Sequence, residues 1–220
     1  MQLQQTPQYN PQFTARNISR VITNTRNGVK SVIDVYKVDQ NDASFLKRFT
    51  EALKGQTLPE DTLMIGGKEV KASVTDSLNH ITAKDKRYND GLLIAIENKK
   101  NIAGILDYRE NGDMDIHTLY MFKDNSVHAG RKALLIQALK NIKKEIEFYA
   151  QIKTGRISEK AEKYYRNLGF GKERGGHELL IPDTKLQEKI EKLQSSPSVT
   201  VKDFRAPKNV DLADVLKLDD

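Results

Sequence analysis

Cysteine is absent from the 220 residues, which excludes disulfides, iron–sulfur clusters, thiolate zinc sites and a cysteine nucleophile. That absence fits a soluble, cytoplasmic protein of a reducing compartment. Long apolar runs are missing too. None approaches the ~18–20 residues of a membrane span, and the Gln-rich start lacks the apolar core of a secretory signal, so no membrane association is expected. Histidine is scarce, with four in the chain and no His-x₃-His pair. Asp115, His117 and His128 do not make a zinc set, so no metal site is expected. Only 38% of the residues are hydrophobic and 7% aromatic, against 30% charged. The apolar share is low for a globular chain, but the balance of charges rules out a disordered polyelectrolyte. The length suits one domain of roughly 150 residues with extensions, or two small ones.

The charge that is present is uneven. The chain carries 36 Lys+Arg and 30 Asp+Glu, a net +6. Residues 123–174 alone hold thirteen basic and six acidic residues, and residues 1–33 hold four basic and no acidic ones. A concentrated basic stretch favours an anionic partner such as nucleic acid, acidic lipid or a phosphorylated small molecule; the plain alternative is a set of solvated helix faces.

Residues 1–27 read as a flexible tail, with five Gln in the first twelve positions together with Pro7 and Pro11. A β-branched run follows through Val29, Val32, Ile33, Val35 and Val38, which predicts a strand. Asn41 or Asp42 can cap a helix through Phe45, Leu46, Phe49 and Leu53 that Gly55 stops. A second helix is expected over 71–85. Three strands, 92–97, 102–109 and 114–122, are separated by short turns and predict an antiparallel meander. A long helix is expected from Gly130 through Leu135, Leu139, Ile142 and Ile146. A strand over 148–152 and a helix over 159–168 come next, then a closing hairpin of Phe170 with 178–181. Residues 183–220 form a C-terminal extension: an amphipathic helix (Leu186, Ile190, Leu193), a Ser/Pro linker and an acidic end. The order predicts an α+β fold with one mixed sheet flanked by helices, spanning 28–182 between the two extensions.

One segment carries more. Ala161, Tyr164, Tyr165 and Leu168 recur at helical spacing, and Gly169 then supplies a stop that turns Phe170 back onto the sheet. From periodicity alone both tyrosines read as core aromatics. The stretch 161–170 also resembles the signature A-x-x-F-Y-x-x-L-G-F of the GNAT superfamily of acyl-CoA-dependent N-acyltransferases. Its place in the helix after the fifth expected strand is the family's, and the element order resembles the family's over 28–182.

The resemblance implies a mostly antiparallel GNAT-like sheet, acetyl-CoA as acyl donor and an amine-bearing acceptor, small molecule or protein. It implies that Tyr165 protonates the departing thiolate, which a phenol of pKa ~10 can do, while Tyr164 takes the core position. The family holds the CoA pyrophosphate in a glycine-rich turn, Q/R-x-x-G-x-G/A, at the start of its long helix, where backbone N–H groups and the helix dipole face the phosphates. The corresponding residues are Val127, His128, Ala129, Gly130, Arg131, Lys132 and Ala133. With Gly130 as the first glycine, Val127 takes the Gln/Arg position and Lys132 the second Gly/Ala position. In the alternative frame Ala129 and Arg131 stand at the two glycines. Arg131 and Lys132 add side-chain charge for a diphosphate.

The base that takes the amine proton is sought on the fourth strand, 113–120. Alternation puts Asp113, Asp115 and His117 on one face and Met114, Ile116 and Tyr120 on the other. His117 titrates near neutrality and Asp115 would orient it; a solvated polar face is the plain alternative. The acyl carbonyl would lie against a backbone N–H of this strand, with the amine entering between the fourth and fifth strands. The competing reading is a non-catalytic binding module that contacts nucleic acid or a protein through its basic surface, although no stacking aromatics interleave with Lys/Arg. Either extension could mediate a homodimer.

Overall fold

The computed structural model describes residues 15–24, 30–38, 42–54, 89–98, 101–111, 113–121, 140, 149–153, 159–172, 178–195, 197–204, 209, 210 and 212. The described strands form one ten-stranded sheet. They are β1 (Ala15–Asn24), β2 (Lys30–Val38), β3 (Asn89–Glu97), β4 (Asn101–Asn111), β5 (Asp113–Met121), β6 (Tyr149–Lys153), β7 (Gly171–Lys172), β8 (Glu178–Pro182), β9 (Val199–Asp203) and β10 (Asn209–Val210). Spatially they run β10-β1-β2-β3-β4-β5-β6-β8-β7, with β9 also paired to β1. The helices are α1 (Ala43–Lys54), α2 (Glu159–Asn167) and α3 (Asp183–Gln194). Among the described residues β5 and β6 are the one parallel pair of neighbours, and every other ladder is antiparallel. This is the expected α+β arrangement.

The β3 run Leu92-Leu93-Ile94-Ala95-Ile96 does not alternate because both its faces are covered: each of the five is at most 1% exposed. One face joins Ile33, Val35, Leu93, Ala95, Leu106, Tyr108 and Ile116 to the side chains that α2, α3 and β8 contribute. Tyr165, Leu168, Leu186 and Ile190 are the helical share of that core. The other face buries Tyr36, Val38, Leu92, Ile94, Ile96 and Ile105. In α1 the rings of Phe45 and Phe49 stack at 5.7 Å, one helical turn apart.

Two expectations change. Residues 15–24, placed in the flexible tail, are instead strand β1, zipped to β2 from Arg16↔Lys37 to Asn24↔Lys30. The segment reads as polar because its buried positions include Ser19, at 0%, and Thr23, at 2%. Its charge is matched: Arg20 donates from Nε and Nη2 to the two carboxylate oxygens of Asp34, at 2.6 and 2.8 Å. Those hydrogen bonds hold the Arg20 guanidinium more firmly protonated, against the opposing pull of desolvation. Beside it burial, and then the Asp34 charge, push the Tyr36 phenol up. The second change is at the other end. Residue 182 is no boundary, because α3 starts at Asp183 and buries Leu186 and Ile190 in the shared core, while β9 and β10 extend the sheet from β1.

Candidate active site

The described pairing between β5 and β6 is short. Parallel β5 and β6 pair at two positions, Met114↔Ala150 and Asp115↔Gln151. Beyond Asp115 no described residue of β5 pairs with β6, although β5 continues to Met121 and β6 to Lys153. Each strand keeps its other neighbour: β6 stays paired with β8 through Lys153↔Glu178, and β5 stays paired with β4 through Gly104↔Met121. The β4–β5 ladder is irregular at the same place. Tyr108 pairs with Ile116 and Asp107 with Thr118, so His117 is an extra residue with no opposite number. A bulge bends its strand and sharpens its twist. Here it begins two residues past the last β5–β6 pair among the described residues.

The bulge also corrects the expected alternation. Ile116 lies in the core cluster with Tyr108 and Leu106. Beyond it, Leu119 pairs with Leu106 and Tyr120 with Ile105. The register of Tyr120 is thereby displaced by one residue from that of Ile116. Asp115 sits at the last β5–β6 pair, in register with Arg109 on β4 and Gln151 on β6.

The 161–170 segment is a helix-termination device. Gly169, at φ 105°, lets the Phe170 N–H donate to the Tyr165 carbonyl at 3.1 Å and the Gly169 N–H to the Arg166 carbonyl at 3.0 Å. These are the 6→1 and 5→2 bonds of a Schellman motif. The apolar contact that completes the motif is Phe170 against Tyr165, ring centroids 5.6 Å apart at 72°. Tyr164 meets Tyr165 edge-on at 5.4 Å. Tyr165 is thus 3% exposed, in the same core cluster as Ile116, whereas Tyr164 is half-buried. Any side chain at Gly169 would meet Ile181 and Lys189 at an ordinary 3.5 Å, so its cost lies in the backbone. Gly169→Ala is expected to lose about 1–2 kcal/mol in urea unfolding.

Residues 127–133, the expected diphosphate turn, lie outside the described residues, as does the helix expected over 71–85; of the helix expected from Gly130 only Lys140 is described, and it is helical. Asp107 went unnoticed in the sequence reading. It is a carboxylate only 5% exposed in the middle of β4, in register with Thr118 next to the bulge. A lone Asp inside the apolar run 102–108 was the signal. Among the described residues no group of three or more His, Cys, Asp or Glu could hold a metal ion, and no helix is long and apolar enough to cross a membrane.

No family model matches the sequence, and no curated protein matches it. Solved structures do. One is a PaiA N-acetyltransferase from Thermoplasma acidophilum in complex with coenzyme A, 16% identical over 67% of this chain and 96% of that one, TM-score 0.44. The KacTA–DNA complex is 12% identical over 62% of this chain and 92% of that one, TM-score 0.43. A third is an acetyltransferase of the GNAT family from Staphylococcus aureus Mu50, 16% identical over 68% and 98%, TM-score 0.45.

Proposed function

We propose that the protein transfers an acetyl group from acetyl-CoA to a primary amine, with the reaction centred on the opening between β5 and β6. The observation that carries this reading is that, among the described residues, β5–β6 pairing ends at Asp115↔Gln151 just before the bulge at His117. A strand edge at such a place fits an extended ligand that itself bears amides, as the pantetheine arm of CoA does, because each can satisfy the other's hydrogen bonds. The cofactor supplies an activated acyl thioester. The chain supplies position and proton transfer. In this reading backbone N–H groups of β5 stabilise the developing oxyanion, and holding both reactants in one slot lowers the entropic barrier. His117 takes the proton of the amine. Tyr165, shielded from bulk water within the core, gives its proton to the leaving thiolate. Residues 127–133, with Arg131 and Lys132, hold the diphosphate.

Calorimetry tests the cofactor. Acetyl-CoA at a hundredfold excess over its Kd is expected to add ~2.7 kcal/mol, a Tm rise of roughly 5–10 °C for a chain of this size. No rise at millimolar acetyl-CoA would remove the proposal; if nucleic acid then bound with an affinity that fell steeply with salt, the binding-module reading would replace it. Given an acceptor, Tyr165→Phe should lower turnover while leaving acetyl-CoA binding intact, and undiminished turnover would take Tyr165 out of the acid role.

A further inference from the structure

We propose that the border of the sheet formed by β1 and β9 is a binding surface for single-stranded nucleic acid. Cations are in excess there. Strands β1, β2 and β9 contain five basic residues, Arg16, Arg20, Lys30, Lys37 and Lys202, and two acidic ones, Asp34 and Asp203. Two pairs of cations stand directly across from each other, Arg16↔Lys37 between β1 and β2 and Arg20↔Lys202 between β1 and β9. Like charges in register destabilise a sheet, and an external anion relieves that repulsion.

Asp34 does not relieve it from the solvent side. It is buried on β2, across β1 from Lys202. Its carboxylate takes the hydrogen bonds of Nε and Nη2 of Arg20, and neither bond uses Nη1. The guanidinium is thereby fixed, while 32% of the Arg20 side chain reaches solvent, in register with the exposed Lys202. A guanidinium pinned along one edge and wet along the other is pre-organised for a phosphate.

Charge alone would suit any polyanion, and Phe204 narrows the choice. It directly follows β9, two residues after Lys202, and its N–H donates to the Ile18 carbonyl at 3.3 Å. Among the described residues it is the one exposed large apolar side chain, at 37%. An exposed ring beside fixed cations is a platform on which an unpaired base stacks, whereas a duplex keeps its base faces inside the stack. One ring is too little apolar surface to hold a bilayer. A lysine on an edge strand also discourages aggregation, but that role needs neither the ring nor a second cation in register. In the sheet order β1 stands four strands from β5, roughly 19 Å at ~4.8 Å per strand. The surface is therefore separate from the acyl-transfer site and independent of that reading.

Fluorescence anisotropy of the full chain with a labelled oligothymidylate of about twelve nucleotides tests this. Binding is expected with a Kd of about 1–100 μM at low salt, weakening about tenfold or more between ~50 and ~200 mM salt. Lys202→Glu should weaken it about tenfold and flatten the salt dependence. Because that change also relieves the repulsion with Arg20, its Tm should not fall, so the lost binding is not lost folding. Phe204→Ala should weaken binding about fivefold or more. No binding at low salt overturns the proposal, and so does binding that both variants leave intact. Tighter binding of a duplex of the same length, or of phosphatidylserine vesicles, overturns it as well. Displacement of the oligonucleotide by acetyl-CoA would show that the two ligands share one site, and would equally remove the proposal.

Discussion

Arg20→Met lowers the unfolding free energy by about 3 kcal/mol, with a fall in Tm of roughly 6–12 °C. The loss comes from what is left behind. Asp34 is 1% exposed, and without the guanidinium its charge remains in the sheet with no counter-ion. Removing one partner of a fully buried pair costs about 3–5 kcal/mol. The lower end applies because 32% of the Arg20 side chain reaches solvent. A double replacement, Arg20→Met with Asp34→Leu, should recover most of the loss, since it removes the stranded charge along with its partner. If the double variant unfolds as readily as the single one, the ion pair is not what holds β1 to β2.

Tyr165→Ala should be the most damaging replacement in α2, at about 3–5 kcal/mol. It removes the ring that faces both Phe170 and Tyr164 and with it the apolar half of the helix stop. Tyr165→Phe keeps both ring contacts and should stay within about 1.5 kcal/mol of the unmutated protein. The two replacements therefore separate packing from proton transfer. Equal losses of stability from Phe and Ala, measured by urea unfolding, would mean that the hydroxyl, and not the ring, is the structural part.

Much of the fold could be read from residues whose side chains obey one local rule. The apolar run of β3 and the Tyr165–Gly169–Phe170 stop each encode their geometry within a few positions. The Schellman glycine is the clearest case, because a left-handed residue after an amphipathic stripe has few other uses. Strand β1 was missed because its membership is decided by a residue outside it: Arg20 reads as a tail cation until Asp34 stands across from it. The candidate site was half legible for the same kind of reason. His117 was singled out by its chemistry, but the bulge that sets its neighbours is a property of the β4–β5 register, and pairing register is not written in either strand alone. Alternation pairs Asp115 with His117 along a strand whose register a bulge interrupts between them and Thr118.

The position of β1 bears on how the molecule is made. Its outer border is closed by residues that are translated about 180 positions later, Ser19 meeting Asp203 and Ala15 meeting Val210. A nascent chain must carry that border uncovered until the last strands leave the ribosome, and pairings so distant in sequence are slow to form. Chains interrupted before residue 199 would present a naked strand to one another, a template for aggregation rather than a smaller working protein.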